Sequence, residues 1–330
     1  MHVNLLVKPA SSLCNMRCRY CFYEDEAANR TEASLGVMSR DTARLPVAYA
    51  LQTNGLALDG EWAEFLARHR FLTGVSVDGD KDLHDAFRID AAGKGTWTRV
   101  QKNLRLLQKA GVECNLLCVV TRRCAKSAVR TYHALQKTGV RYLQFIPCLD
   151  PLGEPRGQRP WSLTPEDYGT FLCSLFDEWY RDWAAGRYTS VRLFDDYVHL
   201  AMGLPAGTCA TSGSCGAYAV VEGDGSVYPC DFFALDEWKL GNIHQTPLAA
   251  LSAGRREQEF LQEGLDHPAP CAACRWQALC QGGCKRDWTT GAQGGRQNYY
   301  CAAFQKFFAH AEPRLRQIAA AEQRARRMGL

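Results

Sequence analysis

The stretch CNMRCRYC (residues 14–21) places three cysteines within eight residues, directly after the apolar run NLLVKPA (residues 4–10). Thiols at such short spacings are typical of a metal site. A structural zinc ion takes four protein ligands, which usually arrive as two CxxC-like pairs. A cluster of four irons held by only three thiolates instead keeps one iron open for a substrate. The stretch therefore predicts a metal centre on the loop after the first strand, and its open position would be the place of reaction.

The whole chain is unusually rich in cysteine, with sixteen in 330 residues. The N-terminus has no basic region followed by a long apolar stretch, so we expect no secretory signal and a cytoplasmic location. In that compartment closely spaced cysteines are more often metal ligands or redox groups than disulfides. The sequence thus predicts metal ligands rather than a disulfide framework.

Composition and charge exclude two classes of function. Hydrophobic residues make up 46% of the chain and charged residues 22%, as in soluble globular proteins. The net charge of +4 is spread along the chain. Its only basic concentration is RLRQIAAAEQRARRMGL (residues 314–330), which a solvated helix end explains better than a nucleic-acid patch. Apolar runs such as LPVAYAL (residues 45–51) are too short to cross a membrane. We therefore expect no binding to nucleic acid and no membrane span.

The first half of the chain alternates strands and helices. Branched and aromatic apolar runs that suit buried parallel strands are NLLVK (4–8), VAYALQ (47–52), GVSVD (74–78), CNLLCVVT (114–121) and YLQFIPC (142–148). Two helical stripes lie between them: Val100, Leu104 and Leu107, closed by Gly111, and Val129, Tyr132 and Leu135, closed by Gly139. Repeated βα units predict an α/β fold, either a barrel or an open wound sheet.

We expect three regions. Residues 1–160 form the core domain, and residues 161–205 contain two connecting helices. From about residue 206 the composition changes to Gly, Cys and short polar turns, so residues 206–330 are predicted to be a second domain with little core and a final helix that begins near Asn298. Five cysteines outside the clustered ones are expected to be buried or free thiols: Cys114, Cys118, Cys124, Cys148 and Cys173.

The three-cysteine loop, with an aromatic residue before its last cysteine, resembles the signature of radical S-adenosylmethionine enzymes. The later cysteines resemble the SPASM extension of that superfamily, whose pattern is C…GxxxxC, a gap, CxxCxxxxxCxxxC, a gap and C. The matching positions are Cys209, Cys215, Gly225, Cys230, the segment CAACRWQALCQGGC with Cys271, Cys274, Cys280 and Cys284, and finally Cys301. The eight thiols of this extension suffice for two [4Fe-4S] clusters, and two zinc sites are the alternative.

Several longer segments resemble the anaerobic sulfatase-maturating enzymes. These are CFYEDEAANR (21–30), ALQTNG (50–55), VSVDGDKDLHDAFR (75–88), YLQFIPCLDPL (142–152) and VYPCDFF (227–233). The resemblance implies a radical oxidation of a sulfatase Cys or Ser to Cα-formylglycine, with three [4Fe-4S] clusters and S-adenosylmethionine as cofactors. It also implies a sulfatase polypeptide as substrate and an electron donor such as a flavodoxin or ferredoxin.

The resemblance assigns roles residue by residue. It implies that Cys14, Cys18 and Cys21 hold the cluster that reduces S-adenosylmethionine. Positions that match contacts to that cofactor are Tyr23, Ser76, Arg88 and Leu149, and positions on the substrate side are Gln52, Thr53 and Asn54. Asp231 matches the proposed general base. The fork of the Arg88 guanidinium suits a carboxylate, because it can bind both oxygens.

The sequence departs from this family between the cluster loop and QTNG. The family carries a helix, a strand that ends in Gly-Gly-Glu-Pro, and another helix, whereas here MSRDTARL (residues 38–45) leads at once to Pro46 and the next strand. One strand–helix unit takes on the order of 30 residues, for which there is no room. We therefore expect a partial (β/α) barrel shortened by about one unit, which makes the activity of this chain doubtful.

Two other functions remain open on the sequence. One is another SPASM peptide-modifying radical enzyme, such as a thioether-forming maturase. The other is an iron–sulfur binding protein without catalysis. Product mass distinguishes the first, because a thioether retains the sulfur that formylglycine loses. Formation of 5′-deoxyadenosine distinguishes the second.

Overall fold

A computed structural model describes residues 5–8, 10–38, 50–216, 218–291 and 294–328 of the chain. The elements up to residue 201 are β1 (Leu5–Lys8), α1 (Phe22–Ala28), β2 (Ala50–Thr53), α2 (Gly60–Arg68), β3 (Leu72–Ser76), α3 (Lys81–Asp85), α4 (Trp97–Lys109), β4 (Glu113–Val120), α5 (Arg122–Ala125), α6 (Ala128–Gln136), β5 (Tyr142–Pro147), α7 (Pro165–Ala184), β6 (Ser190–Val191) and α8 (Arg192–Ala201).

The remaining elements are shorter, apart from the last helix. They are α9 (Cys209–Ser212), β7 (Ala219–Glu222), β8 (Ser226–Tyr228), β9 (Gly241–Asn242), α10 (Leu248–Ser252), α11 (Arg255–Leu265), α12 (Gln277–Cys280), β10 (Trp288–Thr290), β11 (Arg296–Asn298) and α13 (Cys301–Arg327). Short 3₁₀ helices lie at Asp231–Phe233, Asp236–Trp238, Ala269–Ala273 and Lys285–Asp287.

The main sheet is parallel and has the order β2-β3-β4-β5-β6. Helices α4 and α6 occupy the crossovers, as their apolar spacing predicts. Leu104 and Leu135 are buried, whereas Val129 is exposed, so its predicted place in the core is wrong. Gly111 and Gly139 end these helical segments with φ of +76° and +84°, a conformation that glycine adopts without steric cost. The predicted α/β class is confirmed.

The first strand does not join this sheet. We expected residues 4–8 to lie in the parallel sheet with the other strands, but β1 pairs in parallel with β7 of the second domain, Leu5 opposite Ala219 and Lys8 opposite Glu222. Strands β8 and β9 complete this sheet in the order β1-β7-β8-β9. Backbone N–H and C=O groups of a buried strand need partners. β1 finds them more than 200 residues away along the chain, and the main sheet begins at β2.

The second domain has small apolar clusters. One consists of Ala219, Val221, Val227 and Leu251, and another of Val220, Tyr228 and Ala234. By contrast, α13 belongs by packing to the large core, where Phe307 and Phe308 are fully buried beside residues of α7 and α8. The predicted pair of helices in residues 161–205 is present as α7 and α8. The predicted region boundaries therefore separate elements that are in contact. β1 pairs with a strand of the second domain, and α13 packs against the first domain.

Two further predictions concern particular segments. The five cysteines outside the clustered sets are free, and four of them are buried. The abrupt join at Pro46, where we place the missing strand–helix unit, lies outside the described residues. Within the described part of the chain, no helix is long and apolar enough to cross a membrane.

Candidate functional site

The three-cysteine loop lies at the carboxyl edge of the main sheet. Its backbone is held to the segment after α3, because Arg17 N donates to the carbonyl of Ile89 at 3.1 Å and Arg19 N to that of Phe87 at 3.2 Å. Asn54, directly after β2, donates through Nδ2 to Asn15 Oδ1 at 2.7 Å. The loop is thus fixed to the end of the first strand of the sheet and to a loop that follows the second.

The predicted substrate-side residues and two cofactor-side residues also lie at this edge. Gln52 and Thr53 end β2, Ser76 ends β3, and Leu149 follows β5. The carboxyl ends of parallel strands meet at one edge of a sheet, which is where ligands bind in such folds. Asn54 comes closest to the cluster loop, with Nδ2 3.6 Å from Cys14 Sγ.

Arg88 is buried and paired with an acidic residue that the sequence analysis did not single out. Its Nε donates to Asp78 Oδ2 at 2.8 Å and its Nη2 to Asp78 Oδ1 at 3.1 Å. Burial by itself lowers the pKa of Arg88, but the charge and hydrogen bonds of Asp78 together with the influence of Tyr20 and Cys18 outweigh it and raise the pKa above its usual range. The fork that we assigned to a cofactor carboxylate is therefore occupied by Asp78.

Tyr23 points toward the second domain. Its hydroxyl donates to Glu222 Oε1 at the end of β7, and Arg30 Nη2 donates to the same hydroxyl at 3.1 Å. The ammonium of Lys8 lies 3.2 Å from the centre of the Tyr23 ring, a cation–π contact. Burial lowers the pKa of Lys8 to about 8, against the opposing effect of Asp231 and Glu222. Burial raises the pKa of Glu222 to about 7.

Glu26 adds a further buried charge to this region. It is fully buried on α1, and the described residues offer neither of its carboxylate oxygens a hydrogen bond. The nearest cation is Arg286, whose Nε lies 3.9 Å from Oε1. Burial raises the pKa of Glu26 to about 8, which Arg286 opposes. Charged side chains from both halves of the chain therefore meet next to the cluster loop.

Asp231 follows Cys230 at the start of a 3₁₀ helix, as its predicted role beside a cluster requires. Tyr218 Oη donates to Asp231 Oδ1 at 2.6 Å, and Cys230 Sγ lies 3.8 Å from the same oxygen. Asp231 is partly exposed. Burial lowers the pKa of Lys8, and the charge of the Asp231 carboxylate opposes this, as that of Glu222 does, so Asp231 lies in the same region as Tyr23 and Glu222. Asp231 therefore lies close enough to Lys8 for their charges to interact, and Lys8 ends the strand that leads into the cluster loop.

The thiols of the first loop supply the donor chemistry of a metal cluster, although among the described residues no group of three or more Cys, His, Asp or Glu is arranged to hold a single metal ion. Cys14, Cys18 and Cys21 are free, and their charges interact. Burial raises the pKa of Cys18 to about 11; Arg88 opposes this, and Cys21 and Cys14 raise it further. Cys14 is exposed and the two others are partly buried, and thiols become thiolates when a cationic centre binds them. The donor set is therefore suited to a metal centre.

The eight later cysteines divide into two groups of four. Electrostatic interactions connect Cys284 with Cys209 and Cys215, and Cys230 with Cys284 and Cys209. A separate set connects Cys280 with Cys271, Cys301 and Cys274. The four thiols of this second set also line one cavity of about 50 Å³. The grouping does not follow the order of the chain, since Cys284 joins the cysteines that precede residue 271.

Several residues of the site were missed by the sequence analysis, among them Lys8, Glu26, Asp78, Tyr218 and Glu222. Asp78 lies in VSVDG, a segment quoted for the resemblance, and that could have drawn attention to it. Lys8, Glu26 and Glu222 belong to strands or a helix whose apolar pattern gives no sign of a buried polar partner, and Tyr218 directly precedes β7. Their proximity arises from the pairing of β1 with β7.

Comparison with known proteins places this arrangement among related chains. A family model described as an iron–sulfur cluster-binding domain, SPASM, matches residues 214–275. A cysteine-type anaerobic sulfatase-maturating enzyme of Clostridium novyi is 36% identical over 352 positions, which cover 93% of this chain and 94% of that protein. A serine-type enzyme of Bacteroides thetaiotaomicron is 28% identical, with 94% and 89% covered.

A solved structure gives the same fold. Native anSMEcpe with bound AdoMet and a Cp18Cys peptide superimposes with a TM-score of 0.89 at 35% identity, covering 97% of this chain and 99% of that one. The alignment with the Clostridium novyi protein is 352 positions long, more than the 330 residues of this chain. It therefore contains positions of the relative that have no counterpart here, as a missing unit requires.

The grouping of the thiols predicts which pairs of substitutions remove one cluster and which remove two. With three [4Fe-4S] clusters the reconstituted protein holds about twelve irons. Replacing Cys230 and Cys284 by Ala should leave about eight irons, because both belong to one group. Replacing Cys280 and Cys284 should leave about four, although these two are near neighbours in the sequence.

Iron and sulfide analysis after anaerobic reconstitution measures both outcomes. The control is replacement of Cys114 and Cys173, which belong to neither group and should leave about twelve irons. The opposite result would contradict the grouping. In that case the variant with Cys280 and Cys284 replaced would lose one cluster, and the variant with Cys230 and Cys284 replaced would lose two. Stoichiometric zinc without sulfide would exclude iron–sulfur clusters altogether.

Proposed function

Because this chain belongs to the anaerobic sulfatase-maturating enzymes, we propose that it oxidises a side chain of a sulfatase polypeptide to Cα-formylglycine. It is a radical S-adenosylmethionine oxidoreductase with [4Fe-4S] clusters. The observation that carries the assignment to this chain is the three-thiol loop at the carboxyl edge of the sheet, with Asp231 of the SPASM domain close to Lys8 at the end of the strand that leads into it. The site thus combines a place for a radical cofactor with a base from the second domain.

Three clusters have a complete set of candidate ligands. Cys14, Cys18 and Cys21 would hold the first, and ligation by three thiolates would leave one iron available to S-adenosylmethionine. The electrostatic grouping supports Cys209, Cys215, Cys230 and Cys284 for the second. It supports Cys271, Cys274, Cys280 and Cys301 for the third. Full cysteine ligation of the two SPASM clusters leaves them without an open iron.

The residues that would hold S-adenosylmethionine include Ser76 and Leu149 at the carboxyl edge of the sheet. Arg88 would reach the carboxylate of the cofactor only through N–H groups that Asp78 does not use, because the Nε and one Nη2 hydrogen are already donated. Tyr23 bounds the pocket toward the second domain. On the other side, Gln52, Thr53 and Asn54 at the end of β2 face the peptide.

The reaction needs a proton acceptor for the target side chain. When bound, S-adenosylmethionine and the clusters supply the radical that removes a hydrogen atom from Cβ of the target and an acceptor for the second electron. Asp231 takes the proton of the target thiol or hydroxyl. Tyr218 donates to Oδ1 of Asp231 and so fixes the carboxylate, while Oδ2 can face the substrate. A general base must lie within hydrogen-bond reach of the proton that it removes.

We assign cysteine as the preferred target residue. The cysteine-type relative is 36% identical to this chain and the serine-type relative 28%, at similar coverage. The electron donor is proposed to be a small redox protein such as a flavodoxin or ferredoxin.

Incubation with a sulfatase-derived peptide tests the function. The anaerobically reconstituted and reduced protein should cleave S-adenosylmethionine to 5′-deoxyadenosine and convert the target Cys of the peptide to an aldehyde. Mass spectrometry should show loss of sulfur from the peptide, and a hydrazide probe should label the product. A product that retains sulfur in a thioether would identify another peptide-modifying enzyme. A Ser-containing peptide should react more slowly.

Asp231→Asn should separate cofactor cleavage from product formation. The amide cannot accept the substrate proton, and loss of a general base typically costs ~10²–10⁴-fold in rate. We expect 5′-deoxyadenosine to be formed at a rate close to that of the unmodified chain, with little formylglycine. The ratio of the two products is the measurement. Asp236→Asn is the matched control, since Asp236 binds Thr31 at the surface. An unchanged ratio in Asp231→Asn would exclude Asp231 as the base.

The missing unit predicts weak binding of S-adenosylmethionine. The segment with Gly-Gly-Glu-Pro has no room between the cluster loop and β2, and a charge-assisted hydrogen bond lost from a buried site costs ~1.5–3 kcal/mol. One such bond corresponds to about a tenfold loss of affinity. Inserting a family-like strand and helix between Leu45 and Val47 should therefore tighten cofactor binding at least tenfold and leave the iron content unchanged. Equal affinity and equal turnover of the two chains would show that other residues complete the pocket.

A further inference from the structure

Asp78 is placed to control the position of the first cluster. We propose that Asp78 is a positioning residue that fixes the cluster loop and Arg88 relative to each other through a single buried carboxylate. The proposal rests on the function given above, because it assumes a cluster on Cys14, Cys18 and Cys21. Its test below does not depend on formylglycine being the product.

The Asp78 carboxylate accepts four hydrogen bonds from three segments of the chain. Oδ1 accepts from Arg88 Nη2 at 3.1 Å and from the backbone N–H of Val119 at 2.9 Å. Oδ2 accepts from Arg88 Nε at 2.8 Å and from the hydroxyl of Tyr20. Asp78, Arg88 and Tyr20 are 3%, 6% and 9% exposed. Water therefore cannot replace any one of these donors without a rearrangement.

Tyr20 connects this carboxylate to the metal ligands. It lies directly before Cys21 and two residues after Cys18, so a displacement of its ring displaces the backbone between two thiols. The same stretch donates backbone hydrogen bonds from Arg17 and Arg19 to Ile89 and Phe87, on either side of Arg88. The loop and the Arg88 segment thus move together.

A second set of hydrogen bonds, made by His84 and Thr96, connects the backbone of Asp78 with the backbone of Arg88. The backbone N–H of Asp78 donates to His84 Nδ1 at 3.3 Å, and His84 Nε2 lies 2.9 Å from Thr96 Oγ1. Thr96 Oγ1 donates to the carbonyl of Arg88 at 2.9 Å. Burial lowers the pKa of His84 to about 4, so its ring is neutral and can accept at Nδ1 while it donates at Nε2. These hydrogen bonds connect the beginning of the segment from Asp78 to Thr96 with its end, and they restrict the orientation of Arg88.

Stability alone is a weak reason for this arrangement. Replacing a buried ion pair by apolar groups of similar volume is often neutral or stabilising, because burying two charges is costly. Groups that orient the direct ligands of a metal typically contribute 10–100-fold to metal affinity or activity. The hydrogen-bond network around Asp78 is arranged to orient the metal ligands in this way. Its donors are Tyr20 of the three-cysteine loop, Arg88, which is proposed to bind the cofactor, and the backbone N–H of Val119 in β4.

Asp78→Asn tests the proposal with little change of shape. The amide keeps one acceptor oxygen but has an N–H₂ group in place of the other, so it cannot accept all four hydrogen bonds and has no charge to pair with Arg88, which weakens the anchor of the loop. We expect the reconstituted variant to release the iron of its first cluster to an anaerobic chelator ~10–100-fold faster than the unmodified chain. The EPR signal of the reduced first cluster should change in shape. A variant with Cys14, Cys18 and Cys21 replaced by Ala gives the blank for the two other clusters.

Tyr20→Phe is the second variant, because Asp78→Asn leaves Arg88 unpaired and can fail to fold. It removes only the bond to the loop and keeps the Arg88–Asp78 pair, so it should fold, release iron faster and change the EPR signal. Asp82→Asn is the control, since the Asp82 side chain is 70% exposed and binds Arg130 at the surface. It should behave like the unmodified chain.

Iron release and EPR signals that match the unmodified chain in Tyr20→Phe would overturn the proposal, whether or not Asp78→Asn folds. Failure of the proposed function has a different signature. In that case the unmodified chain yields no formylglycine, while the variants still differ from it in iron release.

Discussion

The parallel pairing of β1 with β7 is the interaction on which the site depends. It joins the strand that leads into the cluster loop to the first strand of the SPASM sheet, with Lys8 opposite Glu222. A backbone pairing of this kind is not easily displaced, because each unpaired buried N–H or C=O group costs free energy. It sets the distance between the loop with three thiols and the domain that carries Asp231. Together with the packing of α13 against the large core, it holds the second domain beside the three-cysteine loop.

This pairing also explains the unusual concentration of buried charge. Lys8, Tyr23, Glu26, Glu222 and Arg286 come from both halves of the chain and meet where β1 ends. Burial shifts the pKa values of Lys8, Glu26 and Glu222 toward neutrality, to about 8, about 8 and about 7. Groups with such values change their charge readily near neutral pH. Among these groups, Lys8 interacts electrostatically with Asp231.

The two halves reach their stability by different means. The first has a large apolar core to which α13 contributes Phe307 and Phe308. The second has only small clusters around Val221 and Val220, and eight thiols in two groups. Metal binding in such small domains supplies folding free energy directly. The proposed clusters therefore have a structural role in the second domain in addition to an electronic one.

The sequence by itself determined the α/β class, the metal-binding character and the family. Short cysteine spacings, strand runs and helical stripes are local properties, and a local pattern can be recognised from the sequence alone. Its motifs also predicted Cys14, Cys18, Cys21 and Asp231 as site residues. Only the tertiary structure decided that β1 leaves the main sheet, that Cys284 groups with Cys209, and that Asp78 occupies the fork of Arg88. Each of these depends on contacts between residues far apart in the chain, and no local pattern encodes which distant groups will satisfy a buried strand, thiol or charge.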